Sequence, residues 1–235
     1  MKKMIKNAWI FVMIAGVATF TACDDQDMLS ESEFQASQQV TGMYDDSGMM
    51  MCEIDHRTQT PGGWGSGASG NNPGAYRDLN FDLAFPEGIH IGCFGSEGHC
   101  LYLTSAKAVE NFLPAGGKPA VFTIRDVIDP TAKEMKNSLA SHMVALALSL
   151  GFDAYDPDFS ASGTALGDLV VACGPFQRYT VYEVFSIAND VIGGCRDDYA
   201  ANDIYDVVYR INENFVDGIM NNGFLVCKGT AVNCD

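Results

Sequence analysis

The spacing of apolar residues changes halfway along the chain, and this change constrains the fold more than any other feature. In residues 132–150, apolar side chains recur every three to four positions, as on the buried face of a helix: Met135, Leu139, Met143, Leu146 and Leu150. Residues 180–192 show the same period, begin with the capping pair Thr180 and Glu183, and stop at Gly193. Residues 203–216 repeat it. The second half, residues 131–235, is therefore predicted to be helical, with about three helices.

The first half has the two-residue alternation that is typical of strands. Residues 88–104 alternate apolar with smaller or polar side chains, break at a glycine-containing turn and then alternate again, which predicts a β-hairpin. Ser105 is placed to cap a short helix that ends before Pro114, and residues 120–124 are expected to form another strand. A β-rich region over residues 48–130, followed by helices, predicts an α+β fold within one globular body, residues 48–235.

The N-terminus has the layout of an export signal. A basic start is followed by an apolar run over residues 8–20, and small residues then precede Cys23. The alternative, a permanent transmembrane helix, needs about 20 apolar residues and fits less well. Thr21 and Ala22 resemble the residues before the cysteine of a bacterial lipobox, although Phe20 replaces the usual Leu. Residues 1–22 are therefore predicted to be a lipoprotein signal peptide, and Cys23 the lipidated residue that holds the protein to the membrane.

An acidic stretch follows the predicted lipidation site. Asp24, Asp25 and Asp27 resemble the surface-export tag of lipoproteins in the Bacteroidota, which favours an outer-membrane location facing the cell exterior. In other Gram-negative bacteria, an Asp beside the lipidated cysteine indicates retention at the inner membrane, so the final leaflet depends on the host. Residues 23–47 are polar and contain few large apolar groups, which predicts a solvated tether.

Seven cysteines remain after Cys23: Cys52, Cys93, Cys100, Cys173, Cys195, Cys227 and Cys234. Outside the reducing cytoplasm such cysteines form disulfides, and their spacing lacks the paired motifs of a structural zinc site. The sequence does not fix the pairing. Cys93 with Cys100, and Cys227 with Cys234, are near enough in sequence to close short loops, and Cys52 is the candidate for the unpaired thiol.

The charge of the chain bears on its partners. The formal net charge is −16 at pH 7, and such a surface repels the phosphate backbone of nucleic acids, which proteins bind mainly through Lys and Arg. Nucleic acid is therefore not expected as a partner.

Four strings in the body resemble those of a family of secreted and surface proteins of the Bacteroidota. They are GGWG at residues 62–65, SGNNPG at 69–74, FLPAGGKPA at 112–120 and INENFVDG at 211–218. The resemblance covers roughly residues 58–227. It implies a surface location and a modular role, and it assigns no functional residue.

A ligand-binding hypothesis arises from the Gly- and Pro-rich residues 58–76, which are predicted to form a long loop. Trp64 lies between glycines in this segment, and Tyr76 follows it. An exposed indole face there would bind a sugar ring. The alternative is that Trp64 anchors the loop in the core.

A metal hypothesis arises from the acidic turn at residues 152–163. Asp153, Asp156 and Asp158 could present several carboxylate oxygens to calcium, a hard cation that prefers oxygen ligands. The EF-hand pattern does not fit, because Ala161 stands where glycine is required. Helix termination by a solvated acidic turn is the alternative, and no other cofactor is predicted.

No catalytic motif is recognisable. The four histidines, His56, His90, His99 and His142, lie near no nucleophile elbow, and His142 within its apolar helix is interpreted as a core histidine. The sequence therefore predicts a non-enzymatic, lipid-anchored surface protein that supports envelope attachment or contacts a ligand, a glycan or a surface protein. The alternative is an extracytoplasmic hydrolase with an unrecognised active site.

Overall fold

The computed structural model describes residues 55–94 and 98–234. The predicted leader, tether and Cys23 lie outside these residues, as does Cys52. The described helices are α1 (Pro61–Trp64), α2 (Pro73–Ala84), α3 (Ala106–Phe112), α4 (Ser138–Tyr155), α5 (Val181–Gly193) and α6 (Ala201–Asn212). The described strands are β1 (Ile89–Gly92), β2 (Cys100–Leu103), β3 (Val127–Ile128), β4 (Val170–Val171) and β5 (Leu225–Val226). None of these helices is long and apolar enough to cross a membrane.

Helix α4 lies at the centre of the core and contacts α1, α2, α5 and α6. Its predicted apolar stripe is buried from Leu139 to Leu150. The prediction placed its start too early, because Asn137 ends the preceding loop: its side chain accepts hydrogen bonds from the Leu139 and Ala140 N–H groups. The helix begins at Ser138 and continues to Tyr155.

The predicted hairpin is present. Strands β1 and β2 are antiparallel, with Ile89 opposite Leu103 and Gly92 opposite Cys100. β3 joins β2 in parallel to complete a three-stranded sheet, and β4 pairs with β5 in a separate antiparallel ladder. The apolar residues Ile89, Ile91, Leu101 and Leu103 of the hairpin are buried, and α5 packs against β1. The molecule is therefore a mixed α/β structure with small sheets between helices.

The prediction of a β-rich front half is not confirmed, because the Gly- and Pro-rich region contains two helices. Asn72 accepts a 2.8 Å hydrogen bond from the Ala75 N–H, and Pro73 occupies the first position of α2, where its missing N–H costs no helical bond. Gly74 is required because a Cβ there would lie 2.0 Å from the Ser66 carbonyl oxygen. Asn and Pro thus start a helix where their turn propensity favoured a loop.

The segment before α2 is held by a buried arginine. Arg77 Nη1 donates to the carbonyl oxygens of Trp64 and Ser66, and Nη2 lies 3.1 Å from the Glu110 carboxylate. The Arg77 side chain is fully buried, and charge-assisted bonds of this kind are stronger than neutral ones. The glycine-rich residues are therefore ordered by a contact with α3 that is distant in sequence.

Residues 120–124 were predicted as a strand, and they form none. Their hydrogen bonds go elsewhere: the Asn137 side chain donates to the Ala120 carbonyl oxygen at 2.7 Å, and the Phe122 N–H donates to the Ile192 carbonyl oxygen at 2.7 Å. An extended segment whose backbone groups are satisfied by a side chain and a helix end does not join a sheet.

Two disulfides join distant segments, and the local pairings considered from the sequence are wrong. Cys93 bonds to Cys195 and Cys173 bonds to Cys234. Cys227 is also disulfide-bonded. Cys100 is buried, and its thiol donates to the Cys93 carbonyl oxygen at 3.2 Å. The hairpin turn therefore points Cys93 toward the end of α5, and Cys100 toward the backbone of its own hairpin.

Candidate functional site

Trp64 and Tyr76 are neighbours, but they face the core. The Trp64 side chain is 0% exposed, its Nε1–H donates to Ser149 Oγ at 3.2 Å, and its ring lies 5.1 Å from that of Phe152. The Tyr76 ring is 6.4 Å from the indole. The anchor alternative therefore describes Trp64, and the glycan hypothesis is wrong at this residue because its indole face is covered.

Two of the three predicted calcium ligands, Asp153 and Asp156, accept hydrogen bonds from nearby groups, and Asp158 takes part through its backbone N–H. Asp153 accepts from Ser160 Oγ and from the Leu166 N–H, each at 2.7 Å, and Asp156 accepts from the Asp158 N–H at 2.9 Å and from the Tyr76 hydroxyl at 2.5 Å. Within residues 55–94 and 98–234, no group of three or more His, Cys, Asp or Glu side chains is arranged to hold a metal ion. The carboxylates of Asp153 and Asp156 order the turn that follows α4, which agrees with the alternative raised from the sequence.

An open cleft of about 370 Å³ lies where the beginnings of α1 and α4 meet the end of α6. Three segments form its walls. They contribute Thr60, Pro61 and Gly62; Pro114, Ala115 and Gly116; and Ser138, Ser141, His142, Tyr209 and Glu213. We call this the α4–α6 cleft. Its volume lies at the small end of the range of pockets that hold small molecules.

Hydrogen bonds fix the walls of the α4–α6 cleft to one another. The Thr58 hydroxyl donates to the Asn212 carbonyl oxygen at 2.8 Å and accepts from the Phe215 N–H at 3.0 Å, which ties the segment before α1 to the end of α6. The same bonds explain why α6 stops at Asn212, earlier than predicted. Across the cleft, the Ala115 N–H donates to Ser141 Oγ at 3.0 Å. The cleft is thus a preformed feature of the fold.

His142 is the most buried titratable group in the α4–α6 cleft, with 9% of its surface exposed. Its ring meets those of Tyr205 and Tyr209 edge-on, with centroids 5.2 and 5.3 Å away. Burial lowers the pKa of His142 to about 4, because desolvation disfavours the imidazolium. His142 is therefore neutral at physiological pH.

Asn212 determines which nitrogen of His142 carries the proton. Its Nδ2 donates to the His142 carbonyl oxygen at 2.9 Å and lies 3.3 Å from His142 Nδ1. Because the carbonyl oxygen can only accept, the amide must present its N–H₂ group, and Nδ1 must then be the acceptor. The proton consequently resides on Nε2, which has no hydrogen-bond partner among the described residues.

Two further side chains, those of Glu213 and Tyr209, line the α4–α6 cleft. The Glu213 carboxylate makes no hydrogen bond or ion pair within the described part of the chain. The Tyr209 side chain is 41% exposed, and the Tyr205 ring stacks behind it at 6.0 Å. The cleft thus combines a neutral N–H donor on a largely buried ring, hydroxyls, one carboxylate acceptor and an aromatic side chain.

Three of the four strings that carry the family resemblance meet at this cleft. Gly62 belongs to the first, residues 114–116 to the third and Glu213 to the fourth. The sequence interpretation missed the site because it assigned His142 to the core. The available signal was the adjacent polar pair Ser141 and His142, which interrupts an apolar helix.

Comparison of the chain with protein-family models, with curated proteins and with solved structures finds no match. The resemblance to Bacteroidota surface proteins therefore stays a prediction.

Proposed function

We propose that this chain is an outer-membrane lipoprotein, anchored through Cys23 and facing the cell exterior, whose body binds a small polar ligand without transforming it. The observation that carries the binding function is the α4–α6 cleft, where His142 Nε2–H makes no hydrogen bond within the described residues. This N–H is therefore available to donate to a bound ligand.

Export is supported by the leader and by the disulfides. The short apolar run, Thr21, Ala22 and Cys23 have the order of a lipoprotein signal. The bonds Cys93–Cys195 and Cys173–Cys234 close long loops, and structural disulfides persist in oxidising compartments. The acidic residues after Cys23 support the outer surface as the destination.

Binding without catalysis is supported by the state of His142. A serine–histidine–acid mechanism requires Nδ1–H bound to a carboxylate and a lone pair on Nε2. Here Nδ1 faces an amide N–H₂ and Nε2 carries the proton, which is the reverse arrangement. A pKa of about 4 also makes His142 a weak base at neutral pH.

A ligand screen tests the proposal. Purified full-length chain would be tested by thermal shift against neutral, acidic and basic saccharides, amino acids and short peptides. A ligand of the native state at 100 times its Kd stabilises by about 2.7 kcal/mol, which is a readily measured shift.

The control pair for the screen is Tyr209→Ala and Tyr155→Ala, because the two tyrosines are 41% and 42% exposed and only Tyr209 lines the α4–α6 cleft. We expect the shift to be smaller in Tyr209→Ala than in wild type and to be unchanged in Tyr155→Ala, because a tenfold weaker Kd lowers the stabilisation from about 2.7 to about 1.4 kcal/mol. The absence of any stabilising compound, or an equal shift in both variants, would contradict the proposal.

A further inference from the structure

We infer that the ligand of the α4–α6 cleft is an uncharged saccharide unit, held by hydrogen bonds to His142 Nε2–H and the Glu213 carboxylate and by contact of its C–H face with the Tyr209 ring. This inference rests on the proposed function, since it names the chemistry of the ligand for the same site.

The hydrogen-bonding groups of the α4–α6 cleft match hydroxyls. His142 Nε2–H can only donate, and the carboxylate oxygens of Glu213 can accept. Ser138 and Tyr209 add hydroxyls that can do either. A sugar hydroxyl both donates and accepts, so adjacent hydroxyls of one ring can satisfy His142 and Glu213 together.

The contact that orients His142 has a cost in folding free energy, which indicates that this orientation has a role in the cleft. Asn212 is fully buried, and its Oδ1 has no hydrogen-bond partner. An unmet buried acceptor is destabilising, yet the same amide directs its N–H₂ group to His142 Nδ1 and so fixes the donor on Nε2. Asn212 is therefore a positioning residue for the donor in the cleft.

Charged ligands fit the α4–α6 cleft less well. Among the described residues that line the cleft there is Glu213 but no Lys or Arg, and the net charge of the chain is −16. An anion would therefore be repelled. A cation would meet the His142 N–H dipole and the N-terminus of the 18-residue α4, which Ser138 places at the cleft. A neutral polyhydroxyl ligand avoids both penalties.

The size and the aromatic wall of the cleft agree with this ligand class. The volume of about 370 Å³ accommodates about one or two sugar rings. Tyr209 offers an exposed face whose rear is held by Tyr205 at 6.0 Å. Rigid aromatic faces contribute apolar contact at a low cost in side-chain entropy.

Isothermal titration calorimetry of the purified full chain tests the inference. The probes are neutral mono- and disaccharides of glucose, galactose, mannose and N-acetylglucosamine, together with glucuronic acid and glucosamine as charged counterparts. We expect at least one neutral sugar to bind, and its acidic and amino counterparts to bind about tenfold more weakly or less. A tenfold change corresponds to about 1.4 kcal/mol, which is within the cost of an unmet charge or donor.

Three variants and their matched controls locate the site. His142→Phe removes the Nε2–H donor and keeps an aromatic ring at this position, and the hydrogen bond from Asn212 to the backbone of residue 142 is retained. The control is His90→Phe, because His90 has an exposed ring beside Tyr102. Glu213→Gln is compared with Glu87→Gln, and Tyr209→Ala with Tyr155→Ala. We expect each cleft variant to weaken binding about three- to tenfold and each control to leave the Kd unchanged.

The outcomes separate the inference from the proposed function. A charged sugar, an amino acid or a peptide could bind more tightly than any neutral sugar, with binding lost in the cleft variants. This result would overturn the inference and leave the proposed function standing. Neutral-sugar binding that the cleft variants do not weaken would overturn the assignment of this site. If His142→Phe fails to fold, Glu213→Gln and Tyr209→Ala still decide, because both residues are partly exposed. If no probe of either screen binds, both proposals fall.

Discussion

Replacing Trp64 by Ala is expected to destabilise the body severely. The indole is completely buried, and rings of Tyr76, Phe152 and Phe159 surround it, with centroids 6.4, 5.1 and 6.2 Å away. Emptying a core aromatic site of this kind costs about 3 to 5 kcal/mol, as lost transfer free energy and as the cavity left behind. For a domain of this size, the loss lowers Tm by roughly 6 to 20 °C.

Trp64→Phe separates packing from hydrogen bonding. This change keeps most of the aromatic contact and removes the Nε1–H that donates to Ser149 Oγ. Ser149 Oγ still donates to the Ala145 carbonyl oxygen at 3.1 Å. Only the hydrogen bond that Ser149 Oγ accepts from Trp64 is lost. We expect a loss of about 1 to 2 kcal/mol, between wild type and Trp64→Ala.

The assay is urea unfolding of the oxidised protein followed by circular dichroism, with Tyr155→Ala as the control. Tyr155 is 42% exposed, so its truncation should cost less than about 1 kcal/mol. A loss below about 1 kcal/mol in Trp64→Ala would refute the assignment of Trp64 to the core, and would restore the indole as a candidate binding face.

Three other predictions address charge, covalent structure and anchoring. The pKa of His142 is about 4 in the folded chain, against 6.5 for an unperturbed histidine. Below pH 6.5 the unfolded chain therefore binds a proton that the folded chain does not. The free energy of unfolding should fall by up to about 3 kcal/mol between pH 6.5 and 4. Denaturation at several pH values should show a flatter profile in His142→Phe; identical profiles would contradict the burial of the ring. Replacing both Cys93 and Cys195 by Ala should lower stability by about 4 to 5 kcal/mol, because the bond spans 102 residues, and an unchanged urea midpoint would argue against this pairing. Cys23→Ser should abolish metabolic labelling with a fatty-acid analogue, and persistent label would place the lipid elsewhere.

Helices with strong local signals could be predicted from the sequence. The Thr180–Glu183 capping box and a following glycine defined α5, which the structure extends over Val181–Gly193 with Gly194 in the left-handed conformation. Helix α3 starts after Ser105, as predicted. In these segments the residues that start and stop the helix are adjacent to it in sequence, so local rules are sufficient.

Features that depend on distant contacts could not be predicted. The ordered glycine-rich segment depends on Arg77, which pairs with the adjacent Asp78 and with Glu110 in another helix. The disulfide of Cys93 bypasses Cys100, although the latter is nearer in sequence, because strand pairing turns the two side chains to different surroundings. Tertiary contacts of this kind override local propensity.

The candidate site was missed for the same reason. Its walls come from segments that lie far apart in the chain, and nothing in the helical period of α4 shows that His142 borders a cleft. The decisive contact, Asn212 Nδ2 to His142 Nδ1 at 3.3 Å, joins residues 70 positions apart. Sequence reasoning chose Trp64 as the aromatic candidate, and the fold buries this residue.

The protonation state of His142 during ligand binding tests the central claim most directly. Side-chain ¹H–¹⁵N NMR of the purified protein at pH 7 reports which ring nitrogen carries the proton, and titration with the best neutral saccharide reports whether that group meets the ligand. The structure predicts the Nε2–H form of His142 and a saturable shift of its Nε2 resonance, with His90 unaffected. A proton on Nδ1, or a His142 resonance that does not respond while the sugar binds, would contradict the α4–α6 cleft as the binding site.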